Sequence, residues 1–161
     1  MCIRDSEESA DLIFHLIVLL EYSGSSFEDV IKVLAKGWKM IDIKNYNKEN
    51  VFGKILRKEI PSDPVYETEE VYAFKDINPQ APIHVVIIPK KEYCSFDDFS
   101  RSSGEKTILA MVRSIAIIAD ILKLEKGYRI ISNIGDFGGQ EIPHFHIHIL
   151  GGKRLGRIIA P

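Results

Sequence analysis

Apolar residues at Leu12, Ile13, Leu16, Ile17, Leu19 and Leu20 recur at helical spacing, and "SGSS" breaks the run. Ser26 and Asp29 then form a capping pair ahead of "FEDVIKVLAKG". The pattern predicts a helical hairpin over 1–37. Residues 38–50 are polar, rich in Asn and without a period, which reads as a linker. From residue 51 the texture changes. "VFGKILRKEIP" predicts a short helix closed by Pro61, "PVYET" and "VYAFKDI" a hairpin across Glu69 and Glu70, and "IHVVIIPK" a central strand. Ile108, Met111, Val112, Ile115, Ile118, Ala119 and Leu122 make one stripe of a long amphipathic helix over 104–124, ended by Gly127. "YRIISNI", a "GDFGG" turn and "IPHFHIHILGG" follow. Strands in an antiparallel meander with one long helix across them predict an α+β domain over 51–161, preceded by the helical hairpin.

The last strand carries the candidate chemistry. Phe145, Ile147 and Ile149 alternate with His144, His146 and His148, so a strand would put all three imidazoles on one face. At about 3.3 Å per residue the outer two Cα atoms lie roughly 13 Å apart, too far for one ion whose bonds are about 2.0–2.1 Å. Two of the rings could share a metal if carboxylates or another histidine came from elsewhere. The row also suits phosphate chemistry, in which one neutral ring attacks phosphorus and a protonated neighbour donates to the oxygens or the leaving group.

Composition narrows the partners. With 161 residues, 45% hydrophobic and 27% charged, the chain is globular material for one domain, or one domain with an appendage. A net charge of −2 disfavours nucleic acid as the main partner, while Lys90 and Lys91 could hold a single phosphate. Cys2 and Cys94 lack a CxxC spacing, which suggests reduced thiols in a cytoplasmic protein. "DLIFHLIVLLEY" is too short to span a bilayer and lacks the flanks of a signal peptide, so no membrane attachment is expected.

"VFGKILRKEIP", "AFKDINPQAPIHVVIIPKKEY" and "GYRIISNIGDFGGQEIPHFHIHILGGKRLG" resemble the histidine-triad (HIT) family, in its Hint branch of nucleoside phosphoramidate hydrolases, from about residue 50 to about 157. The resemblance implies a HIT-like fold and a purine nucleotide substrate cleaved at the α-phosphate, with no cofactor and no metal. It makes His146 the nucleophile that forms a nucleotidyl-histidine, His148 a contact to the phosphate oxygens, His144 the residue that positions the nucleophile, and His84 a further histidine beside the site. Asp76 is implied as the ribose ligand, and Phe52, Phe74 and Ile77 as an apolar slot for the base. Asn133 is implied near the phosphate and leaving group, with the Gly138-Gly139 turn bringing backbone N–H groups to the phosphoryl oxygens. Glu141 stands where animal members carry a serine, as in bacterial-type members, and the tryptophan-containing tail of animal relatives does not follow "RLGRIIAP". The family's homodimer is also implied. A purine-nucleotide-binding module with incidental turnover is the alternative of a different class.

"SEESADLIFHLIVLLEYSGSSFEDVIKVLAKG" resembles the C-terminal helices of phosphoribosyl-ATP pyrophosphohydrolase. Glu8 and Asp11 match the later half of that family's acidic magnesium motif, and the earlier EExxE helix is missing, so no pyrophosphohydrolase activity is expected. "MCIRDS" reads as the translation of a transposon-adapter end used in sequencing libraries, so residues 1–6 are expected to be an assembly artefact. Met40 is then a start for the hydrolase.

Overall fold

The computed structural model describes Ser26 and residues 41–157. The helical hairpin expected over 1–37 lies outside the described residues. The chain divides into two compact units, Met1–Met40 and Ile41–Pro161.

A short helix α1 (Val51–Leu56) opens the regular structure, and Asn50 caps it by accepting from the Gly53 N–H at 2.9 Å. Five strands follow in one antiparallel sheet: β1 (Pro64–Glu67), β2 (Val71–Lys75), β3 (Ile83–Pro89), β4 (Arg129–Ile131) and β5 (Ile147–Gly151), in the order β1-β2-β3-β5-β4. Between β3 and β4 come α2 (Phe96–Ser102) and the long α3 (Glu105–Ile121). The expected α+β architecture is therefore present. No helix among the described residues is long and apolar enough to cross a membrane.

Central strand β3 is buried from His84 to Pro89, because both of its faces are covered. Val85 and Ile87 point into the larger core with Met111 and Ile118 of α3, Phe99 of α2, and Phe145 and Ile149. Val86 and Ile88 point the other way, into a smaller core with Phe52 and Ile55 of α1 and Phe74 of β2. His84 shares the parity of Val86, and His148 sits directly opposite Val86 across the β3–β5 ladder, so both imidazoles belong to the α1 face. Thr107 donates to the Glu70 carboxylate at 2.6 Å, tying the first turn of α3 to the β1–β2 hairpin.

Four expectations need adjustment. The long helix stops at Ile121, because Lys123 turns left-handed at φ 54° and sends buried Leu124 back against β5 at Gly151. Val112, counted on the apolar stripe, is 61% exposed. The histidine strand starts at Ile147 rather than at His144. Its ladder with β3 ends at the Ile87–Ile147 pair, two residues short of Pro89, which has no N–H to donate. The Phe145 N–H bonds instead to the Tyr93 carbonyl at 2.7 Å.

The fourth adjustment concerns the segment read as linker. From Ile41 onward it is part of the folded unit. The Ile41 N–H reaches the Asp136 carboxylate at 2.8 Å, Arg57 donates to the Lys48 carbonyl at 2.8 Å, and Tyr46 touches His144. A protein begun at Met40 retains these contacts and both cores, and is expected to unfold cooperatively. One begun at Val51 loses the Asn50 cap, worth about 0.5–2 kcal/mol alone, together with the Tyr46 contact. Thermal denaturation of the two should place the second clearly lower, and equal midpoints would show that 41–50 contributes nothing to stability.

Candidate active site

Four imidazoles converge on the α1 face, and the partner of each ring nitrogen fixes where its proton sits. A carbonyl oxygen can only accept, so a ring nitrogen bonded to one must carry the hydrogen. His144 is fully buried, with Nε2 at 2.9 Å from the Pro89 carbonyl and Nδ1 against the Tyr46 hydroxyl. Its Nε2 is therefore the donor and Nδ1 the acceptor. His146, 5% exposed, has Nδ1 at 2.7 Å from the His144 carbonyl. The proton is on Nδ1, which leaves the Nε2 lone pair of His146 free.

The other two rings form a short chain. His84 Nδ1 accepts from the Gln80 backbone N–H at 3.2 Å, so in the neutral ring Nε2 carries the hydrogen and donates to His148 Nδ1 at 2.9 Å. His148 is thereby left with its proton on Nε2. The His146 and His148 rings stand perpendicular with centroids 4.9 Å apart, and Phe52 packs edge-on against His146 at 5.2 Å and His144 at 6.1 Å.

Burial dominates the titration of all four. It lowers His144 and His148 to about 4, in His148 with help from the neighbouring His146 and His84. His146 and His84 are also lowered, with burial again the largest cause, opposed at His146 by the His144 carbonyl and at His84 by Asp76. Burial thus opposes protonation of the rings beside His146 in the empty pocket. At neutral pH His148 is a neutral Nε2–H donor, because the pocket disfavours any imidazolium until a negative ligand arrives.

The remaining expected residues are brought together to different degrees. Asp76 lies just after β2, with one carboxylate oxygen accepting from the Asn78 N–H at 2.8 Å and the other 3.4 Å from His84 Nε2 and 3.9 Å from His148 Nδ1. Phe52 and Phe74 pack edge-on at 5.6 Å and are buried, whereas Ile77 is 93% exposed on the turn that follows. Asn133 donates to the Gly139 carbonyl at 3.3 Å, within the loop that precedes the histidines. A Cβ at Gly138 would lie 2.3 Å from the Ile134 carbonyl oxygen, so only glycine fits there, and Gly139 adopts φ 72°. Glu141 is exposed at the end of this loop and acts on His146 through its charge.

Sequence reading did not single out Tyr46, Gln80, Ser132 or Gln140. Gln140 is buried and satisfies its whole amide, donating to the Cys94 carbonyl at 2.6 Å and the Ile142 carbonyl at 2.9 Å and accepting from the Gly135 N–H at 3.1 Å. It clamps the glycine loop to the segment behind β3. Ser132 donates to the His146 carbonyl at 2.9 Å.

Among the described residues, one group has donor atoms close enough to hold a metal ion: Asp76, His84 and His148, all within 4.8 Å of one another. This combines one member of the histidine row with a carboxylate and a histidine from the preceding strands. It leaves His144 and His146 outside.

Comparisons with known proteins agree on this region. A family profile described as "HIT domain" matches residues 57–155. An uncharacterized 13.2 kDa HIT-like protein in the hisE 3' region of Azospirillum brasilense is 49% identical over 118 residues, covering 73% of this chain and 97% of that one. The purine nucleoside phosphoramidase of Escherichia coli K12 is 45% identical over 114 residues, covering 70% and 95%. Among solved structures, a HIT family hydrolase from Clostridium thermocellum superposes with a TM-score of 0.66 at 40% identity, covering 71% of this chain and 99% of that one.

The depressed histidines give stability a pH dependence of definite sign. An unfolded His144 takes up a proton below its ordinary value of 6.5, while the folded one refuses it until about 4. Unfolding is therefore favoured increasingly as pH falls from about 6.5 to about 4, by on the order of 3 kcal/mol for His144 alone. Urea midpoints measured across that window should fall steadily, and a flat profile would contradict the burial described here.

Proposed function

The chain belongs to the HIT family, and we propose that it hydrolyses purine nucleoside phosphoramidates or acyl-nucleotidylates at the α-phosphate, through a nucleotidyl-histidine on His146, releasing a nucleoside monophosphate. The observation that carries the reading is the hydrogen bond from His146 Nδ1–H to the His144 carbonyl, which leaves Nε2 unprotonated and available to phosphorus at neutral pH. The 45% identity to a purine nucleoside phosphoramidase supports the substrate class.

In the first half-reaction Nε2 of His146 bonds to phosphorus as the P–N bond to the leaving amine breaks. With the anionic phosphate bound, His148 takes up a second proton from solvent, and its Nε2 proton passes to that amine, leaving a neutral ring. In the second, water attacks phosphorus, gives a proton back to His148 Nε2, and the His146–phosphorus bond breaks. His84 keeps His148 in the tautomer that donates, and the phosphate charge makes a transient imidazolium less costly than it is in the empty pocket. Backbone N–H groups of the Gly138-Gly139 turn, with Asn133 and Glu141 at its edges, border the phosphoryl group. Asp76 accepts from the ribose hydroxyls. Phe52 and Phe74 form the floor of the base slot, and Ile77 closes over it when a base is present.

A homodimer accompanies this reading. Leu109 and Val112 of α3 and Ile130 of edge strand β4 are each at least half exposed, as an apolar surface awaiting a second copy would be. Cytoplasmic location goes with it, Cys94 being a buried free thiol.

Replacing His146 with Gly should reduce phosphoramidase turnover by several orders of magnitude while nucleotide binding stays within a few-fold, since the pocket remains and only the nucleophile is gone. Wild-type turnover in that variant would remove the assignment. Dialysis against EDTA is expected to leave the rate unchanged; a loss restored by zinc or manganese would favour instead a metal held by Asp76, His84 and His148.

A further inference from the structure

The His144 ring has two polar partners, the Pro89 carbonyl from β3 and a hydroxyl from outside the sheet. Tyr46 arrives from the irregular stretch ahead of α1. Its hydroxyl meets His144 Nδ1, its ring packs edge-on against the His144 imidazole with centroids 5.4 Å apart, and it is partly buried. The direction of the bond follows from the far side of the ring. His144 Nε2 holds its hydrogen against the Pro89 carbonyl, so the neutral ring presents a lone pair at Nδ1 and the phenol must donate. Burial pushes the phenol above its ordinary range, opposed in part by the nearby Asn50 side chain, which keeps it protonated.

We propose that Tyr46 is a positioning residue for the nucleophile, clamping His144 between its hydroxyl and the Pro89 carbonyl so that the His144 backbone carbonyl is held on His146 Nδ1–H. The clamp acts through three links. Tyr46 and Pro89 grip the two nitrogens of His144 from opposite sides, which fixes ring rotation and tautomer together. The fixed ring holds its own backbone in the irregular segment 144–146, where no sheet ladder does so. That backbone carbonyl then determines the tautomer and aim of His146. Without the hydroxyl, a fully buried ring nitrogen has no partner, and an unsatisfied buried acceptor is relieved only by turning the ring or moving the chain.

The neighbouring contacts suit this role. Asn50, four residues after Tyr46, caps α1, and Phe52 two residues on packs against both His144 and His146. The Ile41 N–H bond to Asp136 holds the same stretch against the glycine loop. One short polar segment thus braces the histidine backbone and the loop beside it.

The inference rests on His146 being the nucleophile, and the test separates the two ideas. In the full chain, Tyr46→Phe keeps the ring against His144 and removes only the hydroxyl. We expect kcat on an adenosine phosphoramidate to fall roughly tenfold, equivalent to about 1.4 kcal/mol, with KM within about twofold. In 15N imidazole spectra the His144 signals should shift from a pure Nε2–H tautomer toward a mixture, and the His146 signals should broaden or shift with them. An unchanged kcat overturns the proposal, as does a fall in kcat matched by a rise in KM and a lowered melting temperature with both sets of imidazole signals unmoved. If the unaltered protein shows no turnover, the proposed reaction is what has failed. The spectra then judge the clamp alone, and unmoved His144 signals in Tyr46→Phe overturn it.

Discussion

A carbonyl oxygen accepts hydrogen bonds and never donates them, and the fold uses that asymmetry to set the protonation of its histidines. The Pro89 carbonyl assigns the hydrogen of His144, and the His144 carbonyl assigns that of His146. The same logic in reverse, with a backbone N–H at Gln80, sets His84 and through it His148. Backbone positions are held by the sheet and the two cores, so these assignments are as firm as the fold itself. An imidazole oriented by another side chain would depend on the rotamers of both. Here three of the four rings refer back to a main-chain atom.

Keeping four imidazoles in one buried cluster is stable only while none is charged. Burial lowers all of them, and mutual repulsion reinforces this at His148. Neutrality serves a nucleophile, which needs a lone pair, and a donor, which needs only an N–H. Asp76 is the nearest carboxylate, 3.4 Å from His84 Nε2. It raises the tendency of that ring to protonate without overcoming the effect of burial.

Much of this was legible in the chain. The alternation of His144, His146 and His148 with Phe145, Ile147 and Ile149 gave the correct partition of faces, because apolar residues on one side had to meet α3. The continuous apolar run of β3 showed a strand covered twice. What could not be read were the features carried by polar groups without a period. The stretch 41–50 has only Ile41 and Ile43 as aliphatic residues, too few to show a period, and much of its contribution is a set of single hydrogen bonds from Ile41, Tyr46 and Asn50, so composition makes it look like a linker. Gln140 was silent for the same reason. The late start of β5 was hidden differently: the interruption comes from Pro89, which lies 58 positions upstream of Ile147 and is its near neighbour only after folding.

The register of β5 against β3 has an evolutionary corollary. Side chains alternate strictly along the strand, so an insertion or deletion of one residue between Phe145 and Leu150 would exchange imidazoles for phenylalanine and isoleucine across the sheet, emptying the cluster and burying polar rings under α3 at once. No compensating substitution at a single site could restore both faces. The exposed Asp136–Gly138 tip of the glycine loop is under no such parity. Length variation among relatives should accordingly collect in that loop and vanish from the six positions that follow Pro143. Lineages can therefore reshape the glycine loop beside the histidines by indels, while change in the histidine segment is confined to substitution.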